Sequence, residues 1–335
     1  MSDPRWPTRW QRLRRHLAAG VLAGLSLLDG AGAGDLRLAV SRGPVSLPLY
    51  VADAKGYFAA EGLGVRLLEC HSGRECFGQL EEGRADLATA AELVVALDSL
   101  RSSNATIVAT VSASAEQIKL VARRSAGIAV PADLRGKRIG TVAKTSAEFF
   151  LDRWLLYHEV DAADVHVVAL GVDQLVDALA ARRVDAVAIW EPIAAQAQAR
   201  LGHDLAALPS PRVYNQQFVL AVGRSLLAAR DADVQRLLRA LLRAERLIAE
   251  RPAEAAEILA SRLQLDLALA RIALGEHDYR LSLTPTLLST MDSQARWAIR
   301  ERLVEPGQRI GTLLGAVDPA PLRKVAPQAV SLPMP

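Results

Sequence analysis

The stretch "PLYVADAKGYFAAEGLGVRL", residues 48–67, decides how the first unit of the fold is built. Gly56 and Gly62 each suit the left-handed backbone conformation that ends a helix or a tight turn. Between them stand two large rings, Tyr57 and Phe58, which we expect to pack back against the helix and the sheet. The chain therefore reverses over one helical turn and enters the next strand in register.

Outside this stretch, short apolar segments alternate with helical ones across the 335 residues. The predicted strands are 36–40, 65–70, 85–90, 106–112, 118–123, 134–143, 164–170, 184–190 and 218–227. The predicted helices are 46–55, 74–84, 145–160 and 172–183, followed by an almost wholly helical region from about 231. This alternation is typical of right-handed βαβ units and predicts a helix-rich α/β protein with largely parallel sheets.

Two segments of the chain align without a gap, "LEEGRADLATAAE" (80–92) and "LAARRVDAVAIWE" (179–191). The identical pairs include Leu80 with Leu179, Asp86 with Asp185 and Glu92 with Glu191. Each segment is a helix end, a tight turn and a buried strand. Chance matching of common residues is the alternative, but the similar spacing of the upstream strands favours two halves of one design.

Residues 1–33 have the layout of a secretory signal peptide. Five arginines precede an apolar run from Leu17 to Leu28, too short to span a bilayer, and Ala31-Gly32-Ala33 fits a cleavage site. An uncleaved anchor helix is the alternative, and Asp29 weighs against it. No cysteine stands at the cleavage point, so a lipid anchor is not predicted. Whether export uses the general or the twin-arginine route stays open, and the predicted location is the periplasm.

The net charge of the rest of the chain excludes one class of partner. Removing residues 1–33 leaves 40 − 5 = 35 basic and 37 − 2 = 35 acidic residues. A protein that tracks phosphates needs a basic patch in its folded part, so nucleic-acid binding is not predicted.

The two cysteines, Cys70 and Cys76, lie close together in "ECHSGREC". In an oxidising compartment they can pair. We favour the alternative of two small buried side chains, because a strand-to-helix connection usually holds such positions too far apart for a disulfide. A metal site at Cys-His-Cys lacks a partner motif, and no metal or cofactor is predicted.

The pattern Pro-Leu-Tyr-x-Ala-x-x-x-Gly-Tyr-Phe-x-x-x-Gly-Leu-x-Val resembles the N-terminal signature of one family. These are the periplasmic substrate-binding proteins of the nitrate/sulfonate/taurine and thiamine-precursor (NMT1/THI5-like) type. "DLRGKRIG" (133–140) and "DAVAIWEP" (185–192) are similar to later landmarks of the same family, in the same order. The similarity runs from about 36 to 225.

The resemblance implies a two-lobed type II periplasmic binding protein fold, with a mostly parallel sheet in each lobe and a ligand cleft between the lobes. We expect lobe one at 34–122 plus 220–317 and lobe two at 123–219, with crossings near 118–124 and 215–222. The Pro-rich tail, 318–335, has little to bury and is predicted to be flexible.

Open parallel sheets bind ligands beyond the carboxyl ends of their strands, and polar loops mark those ends here. The candidate ligand residues are Ser41, Arg42, Ser72, Gly73, Thr89, Ser112, Thr145, Ser146, Trp190, Glu191, Tyr214 and Asn215.

Each candidate has an alternative role. Thr145 and Ser146 start a helix, where free N–H groups favour an anion, yet they suit capping alone. Trp190 fits either a cleft wall or the core, Glu191 fits a solvated or hinge carboxylate, and Arg42 stays undecided between ligand and surface.

The predicted function is a non-catalytic receptor of an ABC importer. It would be a monomer that delivers a small, anionic solute such as sulfonate or nitrate to a membrane permease driven by an ATPase. One alternative is a cofactor-biosynthesis enzyme on the same fold, similar to a thiamine-pyrimidine synthase; no catalytic triad, paired carboxylates or phosphate loop supports it. Another is a solute-sensing subunit of a signalling system, which the sequence does not separate from transport.

Overall fold

The computed structural model describes Met1 and residues 34–101, 104–304 and 313–332. The predicted signal peptide, apart from Met1, lies outside the described residues. No described helix has the length and apolar character needed to cross a membrane. The architecture below concerns residues 36–332.

Two five-stranded sheets form the framework of the protein. The strands are β1 Leu36–Ser41, β2 Val65–Cys70, β3 Leu87–Ala91, β4 Ala105–Ser114, β5 Ile118–Arg123, β6 Arg138–Thr141, β7 His166–Ala169, β8 Ala186–Trp190, β9 Leu205–Ala207 and β10 Gln216–Gly223. The first sheet has the order β2-β1-β3-β10-β4 and the second the order β7-β6-β8-β5-β9.

Each sheet contains one reversed strand in the same relative place. In the first sheet β10 is antiparallel to both β3 and β4, whereas β1, β2 and β3 are parallel. In the second sheet β5 is antiparallel to both β8 and β9, whereas β6, β7 and β8 are parallel. Four of five strands in each sheet therefore run the same way, as the sequence pattern predicts.

Helices cover the faces of both sheets. They are α1 Leu47–Ala54, α2 Tyr57–Ala60, α3 Gly73–Glu81, α4 Glu92–Ser99, α5 Ser146–Tyr157, α6 Leu175–Ala180, α7 Ile193–Leu201, α8 Arg224–Glu250, α9 Pro252–Leu263, α10 Leu267–Gly275, α11 Pro285–Arg300 and α12 Ala320–Val325. Two apolar cores result, one per sheet. Leu93 and Leu97 of α4 and Trp297 of α11 belong to the second core, so these two helices join the lobes.

The two repeated segments of the sequence form equivalent hydrogen bonds in the structure. Asp86 accepts from the backbone N–H of Arg37 at 2.8 Å and also from its guanidinium. Asp185 accepts in the same way from the N–H of Arg138 at 3.0 Å and from its guanidinium. Each aspartate thereby fixes the turn before a buried strand to the start of the neighbouring strand.

The two left-handed glycines predicted in residues 48–67 are present. Gly56 (φ 64°) follows α1 and Gly62 (φ 71°) follows α2, both left-handed. Phe58 is buried in the first core. Tyr57 packs only partly against it, with the guanidinium of Arg243 4.3 Å from its ring centroid.

The lobe boundaries differ from the predicted ones. β5 belongs to the second sheet, because its backbone pairs with β8 and β9, and all of β10 belongs to the first sheet. The chain therefore crosses at 115–117 and at 208–215. The predicted strand 218–227 was also too long: it ends at Gly223, where α8 begins without a break.

The expectation of a flexible tail is wrong for its described part, 318–332. Its few apolar side chains fill gaps in the first core, where Leu322 and Leu332 are buried. The Asp318 N–H donates to the Ile107 carbonyl at 2.8 Å, and Leu283 and Val330 form a parallel bridge. The proline content does not indicate this docking, which depends on buried apolar side chains and on backbone hydrogen bonds to the rest of lobe one.

Replacing Leu322 by alanine tests this docking. The fully buried side chain leaves a cavity, so we expect the free energy of unfolding to fall by about 2–4 kcal/mol. Urea unfolding followed by circular dichroism measures the loss, with the exposed Ser331→Ala as the control. Equal stability of both variants would mean that the tail does not pack.

Candidate functional site

A small cavity of about 30 Å³ lies at the carboxyl ends of strands from both sheets. Its walls come from the loops after β1, β2, β3 and β8, from the first turn of α5, from the 115–117 crossing and from the start of β10. It is lined by Ser41, Arg42, Val45, Ser72, Gly73, Arg74, Ala91, Val94, Gln117, Thr145, Ser146, Trp190, Glu191, Gln216 and Phe218. We call this the inner cavity. Eight of the twelve sequence candidates are among its lining residues.

The loop after β1 is held rigidly beneath the cavity. The Ser41 N–H donates to Thr89 Oγ1 at 3.0 Å, and the Ser41 carbonyl accepts from Ser46 Oγ at 2.7 Å and from Tyr50 Oη at 3.2 Å. Ser46 thus braces this loop and does not cap α1 with its side chain. Arg42 follows on a fixed backbone and is free to turn its exposed side chain to the cavity mouth.

Helix α3 points its N-terminus at the inner cavity. Ser72 caps it by accepting from the Glu75 N–H at 3.2 Å. A Cβ on Gly73 would stand 2.8 Å from the Ala90 Cα, so only glycine lets the helix start this close to the end of β3. The next residue, Arg74, reaches across to lobe two and donates to the Lys144 carbonyl at 3.5 Å.

Helix α5 points its N-terminus at the same cavity from lobe two. Thr145 caps it, accepting from the Ala147 N–H at 3.3 Å while its own hydroxyl donates to the Val142 carbonyl at 2.7 Å. Ser146 Oγ accepts from Gln216 Nε2 at 2.8 Å, a contact between the two lobes. Thr145 and Ser146 therefore combine the helix start with a place on the cavity wall.

The end of β8 supplies an aromatic and an acidic wall. Trp190 is 9% exposed and contributes to the second core as well as to the cavity, so both of its alternatives hold. Glu191 is partly buried, and its Oε2 accepts from the Ala195 N–H at 3.0 Å at the start of α7. Burial raises the pKa of this carboxyl. The Glu191–Pro192 peptide bond is cis.

Four sequence candidates do not line the inner cavity. Thr89 and Ser112 are buried, and their hydroxyls are used inside lobe one; Ser112 donates to the Val45 carbonyl at 2.7 Å. Tyr214 is buried behind the cavity, and Asn215 is exposed. Strand ends were identified correctly, but the sequence does not tell which polar side chains turn into the sheet.

Seven lining residues were missed: Val45, Arg74, Ala91, Val94, Gln117, Gln216 and Phe218. The sequence does indicate Arg74, because this residue directly follows Ser72 and Gly73 at a predicted helix start. The sequence indicates Gln117 and Gln216 less clearly, since their only distinguishing feature is that they are polar residues beside the crossings.

Gln216 is the least satisfied polar side chain of the inner cavity. It is 6% exposed, and its Oε1 has no hydrogen-bond partner among the described residues. A buried amide oxygen without a partner is costly, so the Gln216 side chain can take a further hydrogen bond at the cavity wall. Gln117 is better satisfied, donating to the Glu191 carbonyl at 3.0 Å with its Oε1 2.9 Å from His277 Nε2.

The electrostatic balance of the inner cavity favours an anion. Two arginines and two helix N-termini face it, against the single carboxyl of Glu191. Burial lowers the pKa of Arg74, since its charge is held partly away from water. An anion beside the guanidinium would offset that desolvation.

A larger chamber of about 990 Å³ adjoins the inner cavity and shares Arg42, Ser72 and Trp190 with it. We call it the outer chamber. Its other walls are His71, Glu75, Val172, Asp173, Val176, Asp177, Pro192, Ile193, Gln196, Leu263, Gln264 and Leu265. A solute with a compact polar head in the inner cavity thus has room for a longer body here.

Behind the inner cavity lies a buried hydrogen-bond cluster around Glu92, which is 0% exposed. Its Oε1 accepts from Tyr214 Oη at 2.8 Å and from Gln294 Nε2 at 3.1 Å, and its Oε2 accepts from the Gln217 N–H at 3.1 Å. These donors come from the second crossing, α11 and β10. The cluster therefore ties both lobes together beside the second crossing.

The preference for unpaired cysteines is wrong, since Cys70 and Cys76 form a disulfide. The connection between β2 and α3 is so tight that the first turn of the helix stands over the strand end, and the two Cα atoms are 5.5 Å apart. Among the described residues no group of three His, Cys, Asp or Glu side chains is placed to hold a metal ion.

The comparisons with known proteins agree with this architecture. The family model described as NMT1/THI5 like matches residues 43–255. No curated protein sequence matches the chain significantly.

Three solved structures share the fold at low sequence identity. The alkanesulfonate-binding protein SsuA from Xanthomonas axonopodis pv. citri, bound to MOPS, superposes with a TM-score of 0.75 at 19% identity, covering 86% of this chain and 99% of that one. The periplasmic nitrate-binding protein NrtA from Synechocystis PCC 6803 gives a TM-score of 0.73 at 14% identity, covering 89% of each chain. The desulfurization enzyme DSZB gives 0.64 at 19% identity, covering 88% and 99%.

The Glu92 cluster predicts a pH dependence of stability. Burial raises the pKa of Glu92 to about 8, above the ordinary value of 4.5 that it regains on unfolding. Between these values the folded protein binds the extra proton, so its free energy of unfolding should fall as pH rises, by up to about 1.4 kcal/mol per pH unit. Urea unfolding at pH 5, 6, 7 and 8 measures the slope.

Glu92→Gln removes the ionisable group and should flatten this part of the slope. Glu257→Gln, at an exposed position, is the matched control and should keep the slope of the unmodified protein. Identical pH profiles for all three proteins would contradict the assignment to Glu92.

Proposed function

The chain belongs to the NMT1/THI5-like family, and on that premise we propose that it is the solute-binding receptor of an ABC importer. It captures a small anion in the inner cavity between its lobes and delivers it to a membrane permease. The observation that carries this proposal is the meeting of two helix N-termini from opposite lobes, α3 and α5, with two arginines of lobe one at one cavity.

Recognition of an anion at this site needs no further group. The first N–H groups of α3 and α5 lack carbonyl partners within their helices, although the caps Ser72 and Thr145 already accept from those of Glu75 and Ala147. The others include those of Gly73, Arg74 and Ser146, which line the cavity together with Arg42. Gln216 adds an amide that accepts or donates, depending on which way it is turned. An oxyanion with several acceptor atoms matches this set of donors.

The proposed solute is nitrate or a molecule that carries a sulfonate or carboxylate group. The neighbours whose titles name an alkanesulfonate-binding and a nitrate-binding protein support this class by analogy. The inner cavity accepts only a compact head, and the outer chamber leaves space for a longer chain. This arrangement favours an organic sulfonate over free nitrate.

Binding is coupled to closure of the lobes. Contacts across the cleft already join Arg74 to the Lys144 carbonyl, Gln216 to Ser146, and Lys119 to Glu276 at 2.8 Å. A solute that contacts both lobes at once shifts the equilibrium between open and closed forms towards the closed form. The closed form is the one that we expect a permease to recognise. Export through residues 1–33 would place this monomeric receptor in the periplasm.

The enzyme alternative rests on one observation, the shared fold with the desulfurization enzyme DSZB. Against it, the lining residues of the inner cavity include no histidine and no cysteine, and both cysteines are joined in the disulfide. A hydroxyl nucleophile there would lack an imidazole base. Incubation with biphenyl-2-sulfinic acid should release no sulfite, and measurable turnover would favour the enzyme.

A thermal-shift screen of the protein, expressed from its full-length sequence, tests the proposal with MOPS, butane-1-sulfonate and nitrate. A ligand present at a hundred times its dissociation constant adds about 2.7 kcal/mol to the free energy of unfolding. We expect the sulfonates to raise the melting temperature, and neutral sugars to leave it unchanged. A shift produced only by neutral solutes would contradict the anionic class.

Arg74→Gln should weaken binding of the best sulfonate about tenfold or more, because a hydrogen bond to a charged group contributes about 1.5–3 kcal/mol. The double variant Thr145→Ala with Ser146→Ala should also weaken it. Isothermal titration calorimetry measures both, with Arg66→Gln as the control, an exposed arginine of β2 outside the cavity. Unchanged affinity in the Arg74 and Thr145/Ser146 variants would remove the anion site from this position.

A further inference from the structure

The Cys70–Cys76 disulfide closes a seven-residue ring that contains part of the inner cavity wall. Three of the five enclosed residues, Ser72, Gly73 and Arg74, line the cavity. The sulfur bridge therefore encloses residues that line the cavity.

Both ends of the ring are tied to other parts of the site. The Cys70 carbonyl accepts from the Arg42 N–H at 2.9 Å, and Cys70 pairs in register with Ser41. Cys76 lies in the first turn of α3, where its N–H donates to the Ser72 carbonyl at 3.0 Å. The bridge thus links the loop that carries Arg42 to the helix start that carries Arg74.

The ring is packed so that its position is defined. Cys70 is 3% exposed and Cys76 0%, with Gln79 Nε2 3.6 Å from Cys70 Sγ. On the opposite side Gly73 abuts the backbone of Ala90, where no Cβ fits. The first turn of α3 is held between the sulfur bridge and the end of β3.

We propose that the Cys70–Cys76 disulfide is a positioning element of the anion site, holding the first turn of α3 and the backbone at Arg42 in the binding geometry. This inference rests on the proposed function. Preorganising a binding loop strengthens affinity because the loop does not have to be ordered on binding.

Without the bridge, this turn keeps only non-covalent contacts, among them the packing of Gly73 against Ala90. The first N–H groups of a helix lack partners within it, so the turn would depend on the Ser72–Glu75 cap and on the His71 N–H, which donates to Glu75 Oε2 at 2.8 Å. The rest of lobe one is anchored elsewhere, in the first core. Loss of the bridge should therefore loosen the site far more than the fold.

The test compares the full chain with the variant Cys70→Ala/Cys76→Ala. Calorimetric titration with MOPS and with butane-1-sulfonate should show affinity about tenfold weaker in the variant. Hydrogen exchange of the free protein should be about tenfold faster at the amides of residues 71–76, and unchanged in lobe two.

Leu241→Ala is the control for a purely structural effect. This buried leucine of α8 lies in the first core and outside the cavity lining, so the variant loses stability but should keep both its affinity and its exchange rates at 71–76. If the double alanine variant does not fold, the unmodified protein treated with dithiothreitol, and shown to be folded by circular dichroism, takes its place.

Unchanged affinity in the bridge-free protein, or weakening equal to that of Leu241→Ala, would overturn the proposal. If the unmodified protein binds none of the anions, the proposed function fails, and the exchange rates at 71–76 still decide the positioning role. Unchanged protection of these amides would then reject it, and faster exchange would support it.

Discussion

Everything in this molecule depends on the chain crossing twice between its sheets, at 115–117 and 208–215. Each crossing leads into the one reversed strand of a sheet: the first into β5 and the second into β10. β5 lies beside β8 and β10 lies beside β3, the parallel strands whose ends carry cavity residues. Because both reversed strands enter beside the cleft, residues at their starts stand next to the helix N-termini of both lobes. The hinge and the cavity are in this way built from the same few residues.

Two glutamates at equivalent positions of the repeat, Glu92 and Glu191, have different roles because different elements surround them. Glu92 and Glu191 each follow the strand that the Asp–Arg turn fixes, β3 and β8. Glu92 is covered by the second crossing, β10 and α11, which supply one donor each. Glu191 has no such cover, and its carboxyl remains at the wall of the cavity. The same local structure thus places a buried hydrogen-bond cluster around Glu92 in lobe one and a carboxyl at the cavity wall, Glu191, in lobe two.

The sequence predicts the parts of the fold that local chemistry determines. The glycines at 56 and 62, the repeat and the loops at strand ends all follow from backbone conformation and periodicity. Gln117 and Gln216 were not predicted, because their place in the cavity depends on which sheet each crossing strand joins. The disulfide was missed for a related reason: the distance between Cys70 and Cys76 is set by how closely α3 follows β2, which the spacing of residues does not reveal.

The interleaving of the lobes also orders their assembly. All strands of the second sheet lie between residues 118 and 207, so this sheet is complete once that continuous stretch has been synthesised. The first sheet has a gap between β3 and β4 until β10 emerges, and its core still needs Leu322 and Leu332 from the far end of the chain. During translation, the second sheet is therefore complete before the first, although its core still receives Trp297 from α11 later, and the open first sheet is the part of the nascent chain that a chaperone would need to protect longest.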